Sequence, residues 1–378
     1  MKKTRAILLT VMFGLSLVFL LEMTYLRGVP GRSAAPKNLY LLEAVIRLIR
    51  NDYLEEKDPF QTVDGSFKGL VNSLDGLSSY LDAESTSRYL EQQGIPLKSP
   101  GIVVFKRYGA FPQVVGILEG SPAEKQGLQV GDLVTEINGR ATPAMSLVEV
   151  NVRLFDKNEL PLGLKVLRDE KTIDFNMDRV LLFPLPVSHS EQEGLSGILK
   201  VARMSPPCVN EVKTKVFPRL RNGNKPLIID LRNCAEGDFE EARQFISLFL
   251  KADRFGYFEK KGTEKEILAS PEEPLLAKLP LIVWMNSGTI GPAEAVAGVL
   301  KEFGRAKVVG LPTPGLAARH AQFPLEDGTS VLLTSGIFFL NSGRSLWGEG
   351  VEPDVPVDDD DQSFKSFLEK SRPLISAS

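Results

Sequence analysis

Residues 281–316 constrain the fold of this chain more than any other stretch. They open with the apolar run 281–285, which predicts a buried strand. A tight turn follows, and Pro292 then marks the first position of a helix with an apolar face. Residues 306–309 predict a second strand. A strand that turns sharply into a helix can present a nucleophile under free backbone N–H groups, so this segment is the first place to look for a catalytic site.

The same segment resembles the active-site region of the carboxyl-terminal processing peptidases, also called tail-specific proteases. Residues 288–294 read Gly-Thr-Ile-Gly-Pro-Ala-Glu, where that family has Gly-Ser-Ala-Ser-Ala-Ser-Glu. The resemblance therefore places Gly291 at the position of the nucleophilic serine. Residues 313–317 read Thr-Pro-Gly-Leu-Ala, where the family has Thr-Phe-Gly-Lys-Gly, and Leu316 stands at the position of the general-base lysine.

The side chains at these positions cannot perform the chemistry that the resemblance implies. Glycine has no oxygen to attack a carbonyl, and leucine cannot accept a proton. Residues 230–237 match the family's oxyanion turn, but Glu236 replaces one of its glycines. A carboxylate there would oppose the negative charge that develops during the reaction. We therefore predict a protease fold whose Ser–Lys dyad, at Gly291 and Leu316, is lost.

An active protease with a relocated nucleophile is the alternative. Ser287 and Thr289 lie in the same turn, and His320 follows Leu316 closely in the sequence. A histidine is a competent base near neutral pH, so a pair of Ser287 with His320 could in principle act. Ser287 lies before the old nucleophile position, however, and its oxygen should face a different point relative to the helix.

Residues 120–139 closely resemble a PDZ domain. Ser121 and Pro122 predict the start of a short helix, and Asn138-Gly139 is a strong hairpin signal. PDZ domains bind peptide C-termini by adding a strand to a sheet edge and holding the terminal carboxylate on backbone amides. The residues expected to do so here are Gly101, Ile102, Val103, Val104 and Phe105. The family usually has Gly-Ile-Gly-Ile here, so Val103 stands where the family has its second glycine. The alternative to peptide binding is a PDZ fold that serves only as a packed lid over the core.

The N-terminus predicts export. Basic residues near the start precede the apolar run 6–21, and residues 23–26 extend this run weakly. A basic flank before an apolar run is typical of export signals, with the basic end left in the cytoplasm. We predict an uncleaved single-pass anchor in the inner membrane, through residues 6–26, with the body in the periplasm or another extracytoplasmic space. Secretion after signal cleavage is the alternative.

Composition argues against several other classes of protein. A formal net charge of −3 gives no nucleic-acid footprint. Two cysteines and two histidines are too few for a disulfide scaffold or a metal cluster, and we expect neither metal nor cofactor. Cys208 and Cys234 follow strand-like segments that we expect to lie side by side. A disulfide and two buried free thiols are the alternatives for this pair.

Together these features predict an α/β protein with a ClpP/crotonase-like protease core, an inserted and mostly β PDZ domain, and an N-terminal helical segment. The expected divisions are a signal anchor at 1–30, helices at 31–98, the PDZ domain at 99–182, the core at 183–357 and an acidic C-terminal tail at 358–378.

Three functions follow from this architecture. The first is a non-catalytic pseudoprotease that binds protein C-terminal tails or partners an active protease, with self-association through the N-terminal helices as a further expectation. The second is an active serine endopeptidase that uses Ser287 or Thr289. The third is a purely structural, membrane-tethered module.

Overall fold

The computed structural model describes residues 37–54, 59–95, 97–157, 161–182, 185–220, 225–270 and 272–376. The chain separates into two compact units, residues 1–66 and 67–378. The predicted anchor at 6–26 lies outside the described residues. Within the described ranges, no helix combines the length and the apolar character that a bilayer crossing needs.

The described part of the N-terminal region contains three helices and one short strand. These elements are α1 (Lys37–Asp52), α2 (Pro59–Asn72), β1 (Ser79–Leu81) and α3 (Ala83–Glu91). Helix α3 begins where the side chain of Asp82 accepts a hydrogen bond from the backbone N–H of Ser85, a typical N-cap. Strand β1 joins a sheet formed much later in the chain, as described below.

The predicted PDZ region folds into a six-stranded sheet with two helices. Its elements are β2 (Ile102–Phe105), β3 (Gln113–Ile117), α4 (Pro122–Lys125), β4 (Leu133–Ile137), β5 (Arg140–Ala141), α5 (Leu147–Leu154), β6 (Leu162–Arg168) and β7 (Lys171–Met177). The strand order is β2-β3-β4-β6-β7, with β5 paired to β4, and we call this the PDZ sheet. Asn138 and Gly139 both have positive φ, as a tight hairpin between β4 and β5 requires.

A second six-stranded sheet, the core sheet, carries the strand-turn-helix segment. Its strands are β8 (Val187–Ser190), β9 (Gly197–Val201), β10 (Leu227–Asp230), β13 (Leu281–Met285), β14 (Ala306–Gly310) and β17 (Val355–Pro356). The order is β17-β14-β13-β10-β9-β8, and every pair except β8–β9 is parallel. Strands β9 and β10, which precede the two cysteines, are direct neighbours as predicted.

Helices cover both faces of the core sheet. They are α6 (Cys208–Glu211), a π-helical turn (Val212–Val216), α7 (Phe217–Leu220), α8 (Phe239–Ser247), α9 (Pro292–Glu302) and α10 (Phe364–Ser376). The large apolar cluster on one face includes residues of α6, α8 and α9. A smaller cluster on the other face includes Trp284 of β13 and Phe367 of α10. The mixed α/β prediction is confirmed.

A third, five-stranded sheet packs at the side of the core. It contains β1, β11 (Ala252–Glu259), β12 (Glu266–Ser270), β15 (Ala318–Pro324) and β16 (Ser330–Leu340). Strand β16 pairs with β1, β11 and β15, so it holds β1 in this sheet.

The structure adds detail to the core helices and to the predicted tail. The helical stretch from Cys208 to Leu220 is interrupted by the π-helical turn, and α8 ends at Ser247. Within the predicted tail, Asp358 to Asp361 are exposed, whereas α10 is a packed element whose Phe367 is fully buried.

Candidate functional site

The turn between β13 and α9 is held by a dense set of hydrogen bonds. The hydroxyl of Thr289 accepts from the backbone N–H of Asn286 at 3.0 Å and donates to the carbonyl of Leu231 at 2.9 Å. The side-chain oxygen of Asn286 accepts from the backbone N–H groups of Gly288 and Asn233 at 3.1 and 3.0 Å. Thr289 is fully buried, and its hydroxyl is committed to holding the turn.

Gly291 is the N-cap of α9 and has an unusual backbone conformation, with φ 64° and ψ −117°. A residue with a side chain is strained there, and strained strand-to-helix turns are how some hydrolases expose their nucleophile. A Cβ added to Gly291 would have only the carbonyl oxygen of Leu316 within 4 Å, at 3.8 Å. The turn therefore has the shape and the space for a nucleophile, but the residue has no side chain.

Glu294 links this turn to the loop that carries Leu316. Its Oε1 accepts hydrogen bonds from the Thr313 hydroxyl at 2.7 Å and from the Gly315 N–H at 2.6 Å. Its Oε2 accepts from the N–H groups of Gly291 and Leu316, both at 2.8 Å. The carboxyl is fully buried, and this burial raises its pKa to about 7, while the four hydrogen bonds act in the opposite direction.

This role of Glu294 was not assigned from the sequence. The available signal was the position of a glutamate three residues after the N-cap, which is the spacing of a capping box. The N–H of Gly291 does bond to this carboxylate. The hydrogen bonds between Glu294 and the loop 313–316 join residues far apart in the sequence, and a local sequence pattern cannot predict them.

Leu316 fills the lysine position with a buried apolar side chain that is 6% exposed. A Cβ added to Gly76 would lie 3.5 Å from its Cδ2, so the side chain extends toward the segment between α2 and β1. Leu316 belongs to the apolar cluster of the PDZ sheet, which includes Val104 of β2 and Leu147 of α5. The structure thus brings the two dyad positions together and leaves neither with a group for catalysis.

The predicted oxyanion turn contacts the PDZ sheet. Asn233 has φ 62°, and its side-chain N–H donates to the carbonyl of Ile117 in β3 at 3.0 Å. Its side-chain oxygen accepts from Asn286 at 2.9 Å. The carbonyl of Cys234 accepts from the N–H of Ile290 at 3.0 Å. Glu236, at the position of a family glycine, is exposed.

The other candidate nucleophile and its candidate base make hydrogen bonds with different partners. The hydroxyl of Ser287 donates to the carbonyl of Pro312 at 3.4 Å. The Nε2 of His320 lies 3.0 Å from the hydroxyl of Tyr89. Each of these two side chains therefore has a hydrogen-bond partner outside the proposed pair. The catalytic pairing of Ser287 with His320 remains a prediction.

Strand β2 provides the edge that the sequence predicted for peptide binding. Within the described ranges it pairs with β3 and with no other strand, which is the arrangement that β-augmentation uses. Gly101 precedes it with φ 86°, and a Cβ there would lie 2.1 Å from the Cβ of Ser121. Gly101, Ile102, Val103 and Val104 are buried and Phe105 is partly buried.

The two cysteines are free and buried. Burial raises the pKa of Cys234 to about 12 and raises that of Cys208 further. Thiols of this kind are poor nucleophiles at neutral pH because the thiolate is scarce. In the described part of the chain, no group of three or more histidine, cysteine or carboxylate side chains could hold a metal ion.

Known proteins resemble this chain over both of its folded regions. The model of peptidase family S41 matches residues 196–357, and a PDZ domain model matches residues 113–151. The carboxy-terminal processing protease CtpA of Bacillus subtilis (strain 168) is 25% identical over 359 residues, which are 94% of this chain and 76% of that protein.

A probable CtpA-like serine protease of Staphylococcus aureus (strain COL) is 25% identical over 324 residues, which are 85% of this chain. The chain spans 65% of the length of this relative. The solved structure of a photosystem II D1 C-terminal processing protease has a TM-score of 0.69 at 19% identity and covers 90% of this chain and 97% of its own. This similarity shows the fold that the two proteins share.

Proposed function

We propose that this chain is a member of the carboxyl-terminal processing protease family that binds protein C-terminal tails without cleaving them. The observation that carries this proposal is the pairing of Gly291 with Leu316. The two residues stand together, as a nucleophile and its base must, and neither can take part in acyl transfer.

Loss of cleavage is supported by the chemistry of the whole site. A Ser–Lys mechanism needs a hydroxyl and a neutral amine in contact, so restoring one without the other would be insufficient. The hydroxyl of Thr289 is buried and hydrogen-bonded on both sides, which makes it a structural group. The oxyanion turn also carries a carboxylate at Glu236.

Tail binding is supported by the second edge of β2, which no described strand occupies. An added peptide strand would gain main-chain hydrogen bonds from this edge, and the Gly101 turn precedes it as a carboxylate-binding loop would. We further propose that residues 6–26 anchor the protein in the inner membrane, with the body in the periplasm. An active protease of the same family, or a second copy joined through the N-terminal helices, is the protein partner that we propose beside these tails.

The test uses the full chain in detergent and fluorescent peptides that end in apolar residues. Peptide binding is followed by fluorescence anisotropy, and cleavage is followed on the same samples by mass spectrometry. Each peptide is compared with its C-terminally amidated form, which keeps the sequence and removes the carboxylate. We expect binding of the free acid, weaker binding of the amide, and intact peptide throughout.

Two results would count against this proposal. Cleavage that disappears in Ser287→Ala would establish a relocated nucleophile and an active enzyme. Absence of both binding and cleavage would favour the structural module.

A further inference from the structure

Leu316 lies where the former active site meets the PDZ sheet. Its side chain is buried, and it is a member of the same apolar cluster as Val104 in β2 and Leu147 in α5. Phe105, Ile290 and Trp347 pack against this cluster from its margins. A lysine at this position would have to bring an ammonium group into that apolar surface, whereas leucine contributes to it.

A bound tail would lie against two of the elements that contribute residues to this cluster. A peptide added to β2 places alternate side chains against the sheet and its neighbouring helix, here α5. The apolar terminal side chain of such a peptide and the side chain of Leu316 therefore compete for the same kind of contact. We propose that Leu316 is an internal ligand of the PDZ cleft, which an incoming tail must displace. This inference rests on the tail binding proposed above.

A second, polar contact holds the PDZ sheet in the same place. Asn233 donates to the carbonyl of Ile117, and its side chain lies directly over Gly116 in β3. A Cβ added to Gly116 would lie 2.0 Å from the side-chain oxygen of Asn233. A side chain at residue 116 would thus overlap the Asn233 side chain that contacts β3, and the two contacts form a latch made of Leu316 and Asn233.

The latch predicts a measurable change in tail affinity. An internal ligand lowers apparent affinity by the fraction of molecules in which the cleft is free. If Leu316 leaves the cleft free in roughly a tenth of the molecules, its removal should tighten binding about tenfold. Leu316→Ser removes the apolar group, and Leu316→Met keeps an apolar side chain of similar volume. We expect tighter binding of apolar-ended peptides in Leu316→Ser and wild-type affinity in Leu316→Met.

A second pair of variants leaves Leu316 in place, which covers the case in which Leu316→Ser fails to fold. Gly116→Ala introduces the overlap with Asn233 and should separate β3 from the core. In Gly116→Ala combined with Asn233→Gly the overlap is gone, so the PDZ sheet can return. Hydrogen exchange by mass spectrometry reads the effect in peptides that cover residues 101–118 and 313–318. We expect faster exchange in Gly116→Ala and exchange close to that of Asn233→Gly alone in the double variant.

The outcomes separate this inference from the function on which it rests. Unchanged affinity in Leu316→Ser, together with unchanged exchange in Gly116→Ala, would overturn the internal ligand and leave tail binding intact. Faster exchange in Gly116→Ala without tail binding by any variant would overturn the proposed function, and Leu316 would then have no ligand to compete with.

Discussion

At the scale of single residues, the backbone of Gly291 makes the clearest prediction. Its φ of 64° disfavours any side chain, while the nearest atom to an added Cβ is 3.8 Å away and leaves room. Gly291→Ala should therefore lower the free energy of unfolding by about 1–2 kcal/mol through strain alone. Gly65 is the matched control, because it is exposed in α2 with open space around it. Gly65→Ala should raise the free energy of unfolding by up to about 1 kcal/mol. Urea unfolding measures the unfolding free energy of both variants. Equal effects of the two substitutions would contradict the positive φ of Gly291.

Lys106 makes a prediction about pH at the same scale. Its ammonium group is buried and donates to the carbonyls of Ala110 and Pro143, and burial lowers its pKa from 10.5 to about 8, with Glu149 acting in the opposite direction. Between these values the unfolded chain binds more protons than the native state, so the stability that Lys106 contributes rises with pH. Between pH 8 and 10.5, the free energy of unfolding of the wild type should rise by roughly 3 kcal/mol at most relative to that of Lys106→Met.

Urea unfolding at several pH values tests this, because the variant cancels the titration that all other groups share. A difference between wild type and Lys106→Met that stays constant over this range would show that Lys106 keeps its ordinary pKa when folded.

At the scale of elements, the pattern of neighbouring residues predicted those strands and helix ends that neighbouring residues determine. The run at 281–285 became β13 with the same bounds, because every side chain in it is buried. Pro292 begins α9, since proline suits a first helical turn. The pairing of β1 with β16 and the seat of Leu316 in the PDZ cluster could not be predicted in this way. Both join segments far apart in the chain, and apolar character alone does not name the partner.

Helix α10 illustrates how much an element at the end of the chain contributes. Phe367 is fully buried against the core sheet, and the Cζ of Arg232 lies 4.6 Å from the centroid of its ring. Phe364 on the same helix is 39% exposed, although its ring meets Trp284 edge-on. Phe367→Ala should cost about 3–5 kcal/mol of unfolding free energy, and Phe364→Ala should cost clearly less. Similar losses in chemical denaturation of the two variants would mean that α10 is not docked through Phe367.

At the scale of the whole molecule, the PDZ sheet and the core share interior contacts. Leu316 of the core lies within the PDZ cluster, and Asn233 bonds to β3. At the helix α5, the hydroxyls of Ser79 and Ser146 lie 2.6 Å apart, and Lys68 pairs with Glu149 at 3.1 Å. Regions joined through several such contacts unfold together, because neither can open without exposing the interior of the other.

The two tryptophans of the chain allow this coupling to be measured. Trp284 is fully buried in the core sheet beneath α10, and Trp347 packs at the margin of the PDZ cluster. Trp347→Phe leaves a reporter for the core, and Trp284→Phe leaves one for the junction. In each background, intrinsic fluorescence is compared with far-ultraviolet circular dichroism during urea unfolding, so that each substitution serves as its own stability reference. We expect the two probes to give one midpoint in both backgrounds. A junction signal that changes well before the circular dichroism would show that the PDZ sheet separates from an intact core, and the contacts of Leu316 and Asn233 would then be too weak to make the two regions a single cooperative unit.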